Sequence, residues 1–239
     1  KIKKNNGKIM ANFDYGYFSH SKIKDKTTPT QKKRKILMKE RTIINRIIAN
    51  DFDHKFYDGN RINGYGGFKY DERWKIFLKK IIKKYNLTKN SRVLDLGAKK
   101  GFFMKDLMDL VPGIKVYGVE DHEYPIKKSL PSVRKKISYV SAYYNVKYKK
   151  NYFDFVHAHN SIYRYSMRDL IKIIKKINYI SKKSHITIPV YYTEKERSKF
   201  LDWSLLGGVI LKEKEWKQMF KFLNYKGDYY FSGPKSYGL

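Results

Sequence analysis

The stretch Ser91–Glu120, SRVLDLGAKKGFFMKDLMDLVPGIKVYGVE, constrains the fold more than any other. Arg92 to Leu96 alternate and favour a strand, with Val93, Leu94 and Leu96 apolar. Gly97 to Gly101 form a turn. Phe103, Leu107 and Leu110 fall at i, i+4 and i+7, one face of a helix that Pro112-Gly113 stops. Lys115 to Val119 make a second apolar strand ending on Glu120. The order strand, glycine turn, helix, strand is half of a nucleotide-binding βαβ unit. Its glycines let backbone approach a ligand, and its helix N-terminus offers unpaired N–H groups. An acid at the tip of the second strand can accept both hydroxyls of a ribose.

The nicotinamide fingerprint G-x-G-x-x-G fails here, because Lys99 and Phe102 stand at its second and third glycine positions. The phosphate loop G-x-x-x-x-G-K-[ST] fails as well. V-L-D-L-G-x-x-x-G with an acid closing the next strand resembles the first motif of class I S-adenosylmethionine (SAM) methyltransferases. The resemblance implies that Asp95 orients the loop and the methionine ammonium, that the glycines face the methionine portion, and that Glu120 holds the ribose. It departs at Lys99, where the family usually has glycine, and at Ala98, where it often has Cys or Gly. Continued along the strand tips, the resemblance implies a cofactor shell of Asp95, Gly97, Ala98, Gly101, Glu120, Asp121, Ala142 and His157.

At 239 residues, 41% of them hydrophobic, the chain suffices for one α/β domain with a real core plus appendages. Cysteine is absent, which excludes disulfides and thiolate metal sites. No apolar run approaches the roughly 18–20 residues of a membrane span. The first residues are basic and polar, unlike a signal peptide, and a cytoplasmic protein is the default expectation. The formal charge of +31 admits two readings. One is a polyanionic partner such as nucleic acid, a nucleotide-linked substrate or an anionic membrane surface. The other is compositional drift, since Lys, Asn, Ile and Tyr are abundant together and the lysines are spread rather than clustered.

Residues 1–35 read as a basic, flexible arm in which Tyr15, Tyr17 and Phe18 suggest one small packed patch. Residues 36–90 read as a helical, Gly/Tyr-rich cap, and 91–239 as the SAM-binding domain. Ile36 to Ile48 predict one helix that covers the core or a partner subunit. Asp51–Trp74, DFDHKFYDGNRINGYGGFKYDERW, is too polar and glycine-rich for core. Carboxylates and guanidinium groups among aromatic rings suit a polar, ring-shaped substrate, which makes Asp58, Arg61, Tyr65 and Tyr70 its candidate ligands. This segment and the ending Glu215–Tyr229 resemble a bacterial methyltransferase group associated with surface-polysaccharide and sugar gene clusters.

Trp74 to Tyr85 predict an amphipathic helix leading into the first strand. Ile137 to Ala142 and Tyr152 to Ala158 predict the third and fourth strands. The fourth delivers His157-Ala158-His159-Asn160 to the edge where open α/β sheets bind ligands. His159 there is a candidate general base with a near-neutral pKa, and no acid at suitable spacing makes the pair a metal site. The N/D-P-P-Y signature of amino-methylating nucleic-acid enzymes is absent. Ser166 to Ile180, Thr193 to Trp203 and Glu213 to Leu223 predict helices. His185 to Tyr191 predict the fifth strand, and Gly227 to Ser232 a last one. Residues 203–211 form a lid or substrate wall.

The expected fold is therefore Rossmann-like: a mostly parallel seven-stranded sheet, helices on both faces, and an antiparallel C-terminal strand. The expected activity is SAM-dependent methyl transfer to a small polar acceptor, a sugar or sugar nucleotide. The alternative is an RNA-methylating or RNA-binding protein that uses the basic surface.

Overall fold

A computed structural model describes residues 10–18 and 31–239. Helices α1 (Gln31–Glu40), α2 (Ile43–Asn50), α3 (His54–Tyr57) and α4 (Trp74–Tyr85) precede the sheet. Strand β1 (Arg92–Leu96), α5 (Phe102–Leu110) and β2 (Lys115–Glu120) then form the predicted unit. Short helices α6 (Glu123–Lys127) and α7 (Pro131–Arg134) lead to β3 (Ile137–Tyr139). Then follow β4 (Phe155–His159), α8 (Met167–Ile180), β5 (Ser184–Tyr191), α9 (Glu194–Trp203), β6 (Leu211–Lys212), α10 (Glu213–Phe222) and β7 (Asp228–Ser232).

The strands run in the order β3-β2-β1-β4-β5, with β6 and β7 both pairing β5, so the chain reverses direction across the sheet between β1 and β4. This is a Rossmann-like α/β architecture. One expectation is corrected: β7 runs parallel to β5, in register from His185 opposite Asp228 to Pro189 opposite Ser232. Helix α10 crosses back over the sheet before β7 starts, and such a crossover returns a strand in parallel.

Side-chain alternation along the strands divides the core in two. Leu94, Leu96, Val156 and Ile186 face α8 and α10, where Ile173, Ile174, Ile177, Trp216 and Phe220 are buried. Val93, Val116 and Phe155 face α4 and α5, where Phe77, Leu78, Ile81, Phe103 and Leu107 close the other layer. Each such side chain contributes about 1.5–3 kcal/mol by leaving water.

The predicted 36–48 helix is two helices. Thr42 adopts an extended backbone, and its N–H donates to Asn45 Oδ1 at 2.8 Å, restarting the helix as α2. Its isoleucines do not cover the core: Ile36, Ile43, Ile44 and Ile47 are exposed, and Leu37 and Ala49 supply the buried contacts. Part of the expected arm is also ordered against the sheet. Asn12 bridges Tyr229 of β7, and the Phe13 N–H donates to the Tyr229 carbonyl at 2.8 Å. Residues 1–9 and 19–30 of that arm lie outside the described residues. Among the described residues no helix is long and apolar enough to cross a membrane.

Candidate functional site

A row of polar side chains crosses the sheet on the α4/α5 face. Asp95 of β1 lies opposite His157 of β4, which lies opposite His185 of β5, which lies opposite Asp228 of β7. All four are buried. The His157 Nδ1–H donates to Asp95 Oδ1 at 3.1 Å, and His185 Nε2 donates to the Phe13 carbonyl at 2.8 Å. Tyr85 donates to Asp228 at 3.0 Å. One step toward the carboxyl edge, His159 lies opposite Thr187. Tyr15, from the N-terminal segment, covers this row: its hydroxyl is 2.6 Å from His159 Nδ1 and 3.1 Å from Thr187 Oγ1.

Two adjoining cavities open at that edge. The first, about 250 Å³, has Glu120 and Tyr143 on one side, apolar walls from Phe52, Phe56 and Tyr57, and a roof of Trp203, Leu205 and Leu206. The second, about 510 Å³, is bordered by Asp95, Ala98, His157 and His159, with Tyr17, Phe18 and Trp74 as aromatic walls. Lys99, Arg61, Tyr65 and Asn160 border both. Asn160 ends β4 at φ +47°, and its buried Oδ1 has no hydrogen-bond partner. A buried amide oxygen without a donor, set between two cavities, suits a ligand's N–H or O–H.

The glycine turn holds the acid of β2. The Lys99 N–H donates to Glu120 Oε2 at 2.8 Å, while Asp121 N–H and the Tyr143 hydroxyl donate to Oε1 at 3.0 and 3.1 Å. Three of roughly four acceptor positions on Glu120 are therefore used. The two loop glycines approach protein rather than an open cleft. A Cβ on Gly97 would meet Ser161 and the Tyr143 hydroxyl, and one on Gly101 would meet Val133 at 2.5 Å.

Of the residues expected to hold cofactor, Asp95, Ala98 and His157 border the second cavity and Glu120 the first, whereas Gly97, Gly101, Asp121 and Ala142 border neither. Asp121 is engaged by Arg164, by the Tyr165 hydroxyl and by His122 Nδ1. Burial opposes its charge, but His122 and Arg164 prevail and hold its pKa well below the usual carboxylate range. Glu120, Asp121 and His122 also bring ligand atoms within 4.8 Å of one another, with Arg164 seated on the central carboxylate.

Two of the substrate candidates are engaged by protein partners and border neither cavity. Asp58 accepts from Lys100 Nζ at 2.6 and 2.7 Å and from the Tyr124 hydroxyl at 2.8 Å, clamping the 57–70 loop onto the glycine turn. Tyr70 donates to Asp106 of α5, and its ring packs against Phe102. Arg61 and Tyr65 do border both cavities. The 203–211 stretch, expected as a lid or wall, supplies Trp203, Ser204, Leu205, Leu206 and Ile210 to the first cavity.

His159 differs from the near-neutral base expected. Burial, then the charges of Lys99, His157 and His185, push its pKa well below the ordinary histidine value. Burial also disfavours the Lys99 ammonium, but Tyr65, Tyr17 and Glu120 outweigh it and raise the lysine's pKa. The placements of Tyr15 over the histidine row and of Asn160 between the two cavities are not written in the sequence pattern. The signal for Tyr15 was its spacing with Tyr17 and Phe18 in an otherwise basic segment.

No protein-family profile matches the sequence, and no curated protein matches it. Solved structures match parts of the chain at low identity. The YcgJ protein from Bacillus subtilis is 16% identical with a TM-score of 0.47, over 61% of this chain and 66% of that one. A SAM-dependent methyltransferase from Aquifex aeolicus is 20% identical with a TM-score of 0.36, over 48% and 69%. The PH0226 protein from Pyrococcus horikoshii OT3 is 21% identical with a TM-score of 0.41, over 54% and 58%.

Proposed function

We propose that this chain is a SAM-dependent methyltransferase acting on a small polar acceptor, a sugar or sugar nucleotide. One observation carries the reading: Asp95 and Glu120, at the tips of the neighbouring strands β1 and β2, open into two cavities joined at Lys99 and Asn160. The donor set fits the cofactor. The first cavity offers a carboxylate for ribose hydroxyls and apolar walls for a purine. The second offers Asp95 for an ammonium and Lys99 for a carboxylate, the two charges of an amino-acid end. Because three donors already use Glu120, a ribose displaces one of them, and the Tyr143 hydroxyl can turn away where backbone N–H groups cannot.

When bound, SAM supplies a methyl group on a positively charged sulfur, so the electrophile arrives with the cofactor. The protein's task is then placement and exclusion of water. Arg61, Tyr65 and Trp203 border the acceptor's space, and Asn160 Oδ1 accepts a donor at the junction. His159 Nδ1 faces the Tyr15 hydroxyl; in the tautomer with hydrogen on Nδ1, which then donates to the Tyr15 oxygen, Nε2 holds the lone pair that takes the acceptor's proton.

The test is calorimetric titration of SAM into wild type and Glu120→Ala. Losing hydrogen bonds to a charged acceptor should weaken binding by about 1.5–3 kcal/mol. Equal affinity in the two proteins, or no binding to wild type, would sink the assignment. A methyl-transfer screen over sugar nucleotides, small acids and RNA then identifies the acceptor.

A further inference from the structure

The second cavity carries a charge imbalance that the cofactor does not explain. Arg34, Arg61, Lys69, Arg73, Lys99 and Lys235 border it, against one carboxylate, Asp95. Asp71 neutralises Arg73 at 2.9 Å, and Asp95 is already hydrogen-bonded to His157. Lys69 and Lys235 stand exposed at the rim.

Arg34 is the informative cation. It reaches the wall from α1, and Nη1 donates to the Tyr237 carbonyl. Its Nε–H is buried and has no hydrogen-bond partner among the described residues. Burial lowers its pKa, and among the described residues no carboxylate offsets the cost. A buried guanidinium N–H left unpaired is costly, and the planar fork of Arg suits phosphate. The aromatic walls Tyr17 and Trp74, 4.8 Å apart between ring centroids, offer apolar surface for a ring.

We propose that the acceptor held in the second cavity is a phosphate-bearing ring compound whose phosphate docks on Arg34, with Lys69 and Lys235 drawing it in from the rim. Its identity as the acceptor rests on the methyltransferase reading above; the binding site itself does not. A cavity of about 510 Å³ walled by α1, α4 and the 10–18 segment suits a small phosphate ester better than a polymer.

The experiment titrates glucose 1-phosphate and glucose into wild type, Arg34→Gln and the rim double variant Lys69→Gln/Lys235→Gln. SAM is titrated into the same samples. Wild type should bind glucose 1-phosphate at least about tenfold more tightly than glucose. Arg34→Gln should lose about tenfold or more of that affinity, in line with a lost charged hydrogen bond. The rim variant, which leaves the fold's contacts alone, should weaken binding a few-fold and flatten its dependence on salt. SAM affinity should be unchanged in both variants. Equal binding of the two sugars, or undiminished binding in both variants, overturns the proposal. So does a short single-stranded RNA that displaces glucose 1-phosphate at physiological salt, because the charge would then serve a polymer. Loss of SAM binding in wild type with the phosphate result intact removes the cofactor reading and leaves the anion site standing.

Discussion

The Tyr15 hydroxyl sits 2.6 Å from Nδ1 of His159, joining a segment far from the sheet in sequence to the end of its central strand. Burial raises the Tyr15 pKa well above its ordinary value, so the phenol keeps its proton. That one proton can point to His159 Nδ1, to Thr187 Oγ1 or, at 3.5 Å, to His157 Nε2. His157 in turn donates to Asp95. Where the proton points fixes which nitrogen of His159 carries hydrogen, and therefore whether Nε2 presents a lone pair or a donor to the cavity.

Tyr15→Phe removes this positioning contact and little apolar volume. SAM affinity should hold, because Tyr15 borders neither cavity, while turnover should fall about tenfold or more. In wild type the rate should be flat from about pH 6.5 upward and fall at acid pH, because a base with a lowered pKa loses its lone pair only there. A rate profile that instead rises through pH 7 would show that His159 is not the titrating group. Kinetics of both proteins from pH 5 to 9 decide this.

Asp58 should matter to stability rather than to ligand affinity. It is the counter-ion of Lys100, whose side chain is 8% exposed, and both Lys100 and Tyr124 lower its pKa against the opposing effect of burial. Asp58→Ala strands that ammonium, and breaking such a pair should cost about 3 kcal/mol. Urea unfolding should show the loss, with SAM affinity changed less than about twofold once the folded fraction is corrected. A large affinity loss at unchanged stability would return Asp58 to the binding site.

Much of this architecture is legible in the residues because local pattern and tertiary demand agree. Trp74–Tyr85, Phe102–Leu110 and Met167–Ile180 bury the faces that their periodicity marks. The Gly97–Gly101 turn meets the acid of β2 through the Lys99 N–H on Glu120, a contact the motif does not spell out. Long-range choices are not written locally. Whether β7 runs parallel depends on where α10 ends, and Tyr229 meets Asn12 across nearly the whole chain. Asp58 and Tyr70 carry the chemistry of ligands, yet Lys100 and Asp106 claim them, and only the fold brings those partners near. The Ile36–Ile48 pattern looks amphipathic, but no described element packs over its apolar side.

The buried histidines predict acid sensitivity. Burial takes the His185 pKa down to about 3, against a backbone carbonyl that works the other way, and His159 is lowered in the same direction. Unfolded, both groups titrate near 6.5. Between 6.5 and the folded values the unfolded chain binds more protons than the native one, so stability is full above pH 6.5 and lost as pH falls. Each histidine should cost about 1.4 kcal/mol per pH unit inside that window. Urea midpoints at pH 7.5, 6 and 5 should fall progressively. A midpoint independent of pH across that range would mean that these rings take up protons in the native state as readily as in the unfolded chain.

The glycine turn gives the sharpest steric test. Gly97 has φ +88° and Gly67 has φ +104°, so alanine is strained by backbone at both. Their surroundings differ. A Cβ on Gly67 meets nothing within 4 Å, whereas one on Gly97 runs into Ser161 Cβ and comes within 2.9 Å of the Tyr143 hydroxyl. Ser161 cannot yield cheaply, because its hydroxyl donates to the Leu96 carbonyl at 2.6 Å. Tyr143 cannot yield without leaving Glu120. Gly67→Ala should therefore cost about 1–2 kcal/mol, the backbone strain alone. Gly97→Ala should add an overpacking cost of about 1–3 kcal/mol and should weaken SAM binding by disturbing the Glu120 donors. Chemical unfolding and SAM titration of the two variants separate these effects. Equal destabilisation, with SAM affinity intact in both, would show that the close approach at Gly97 relaxes and that the turn does not order the Glu120 site.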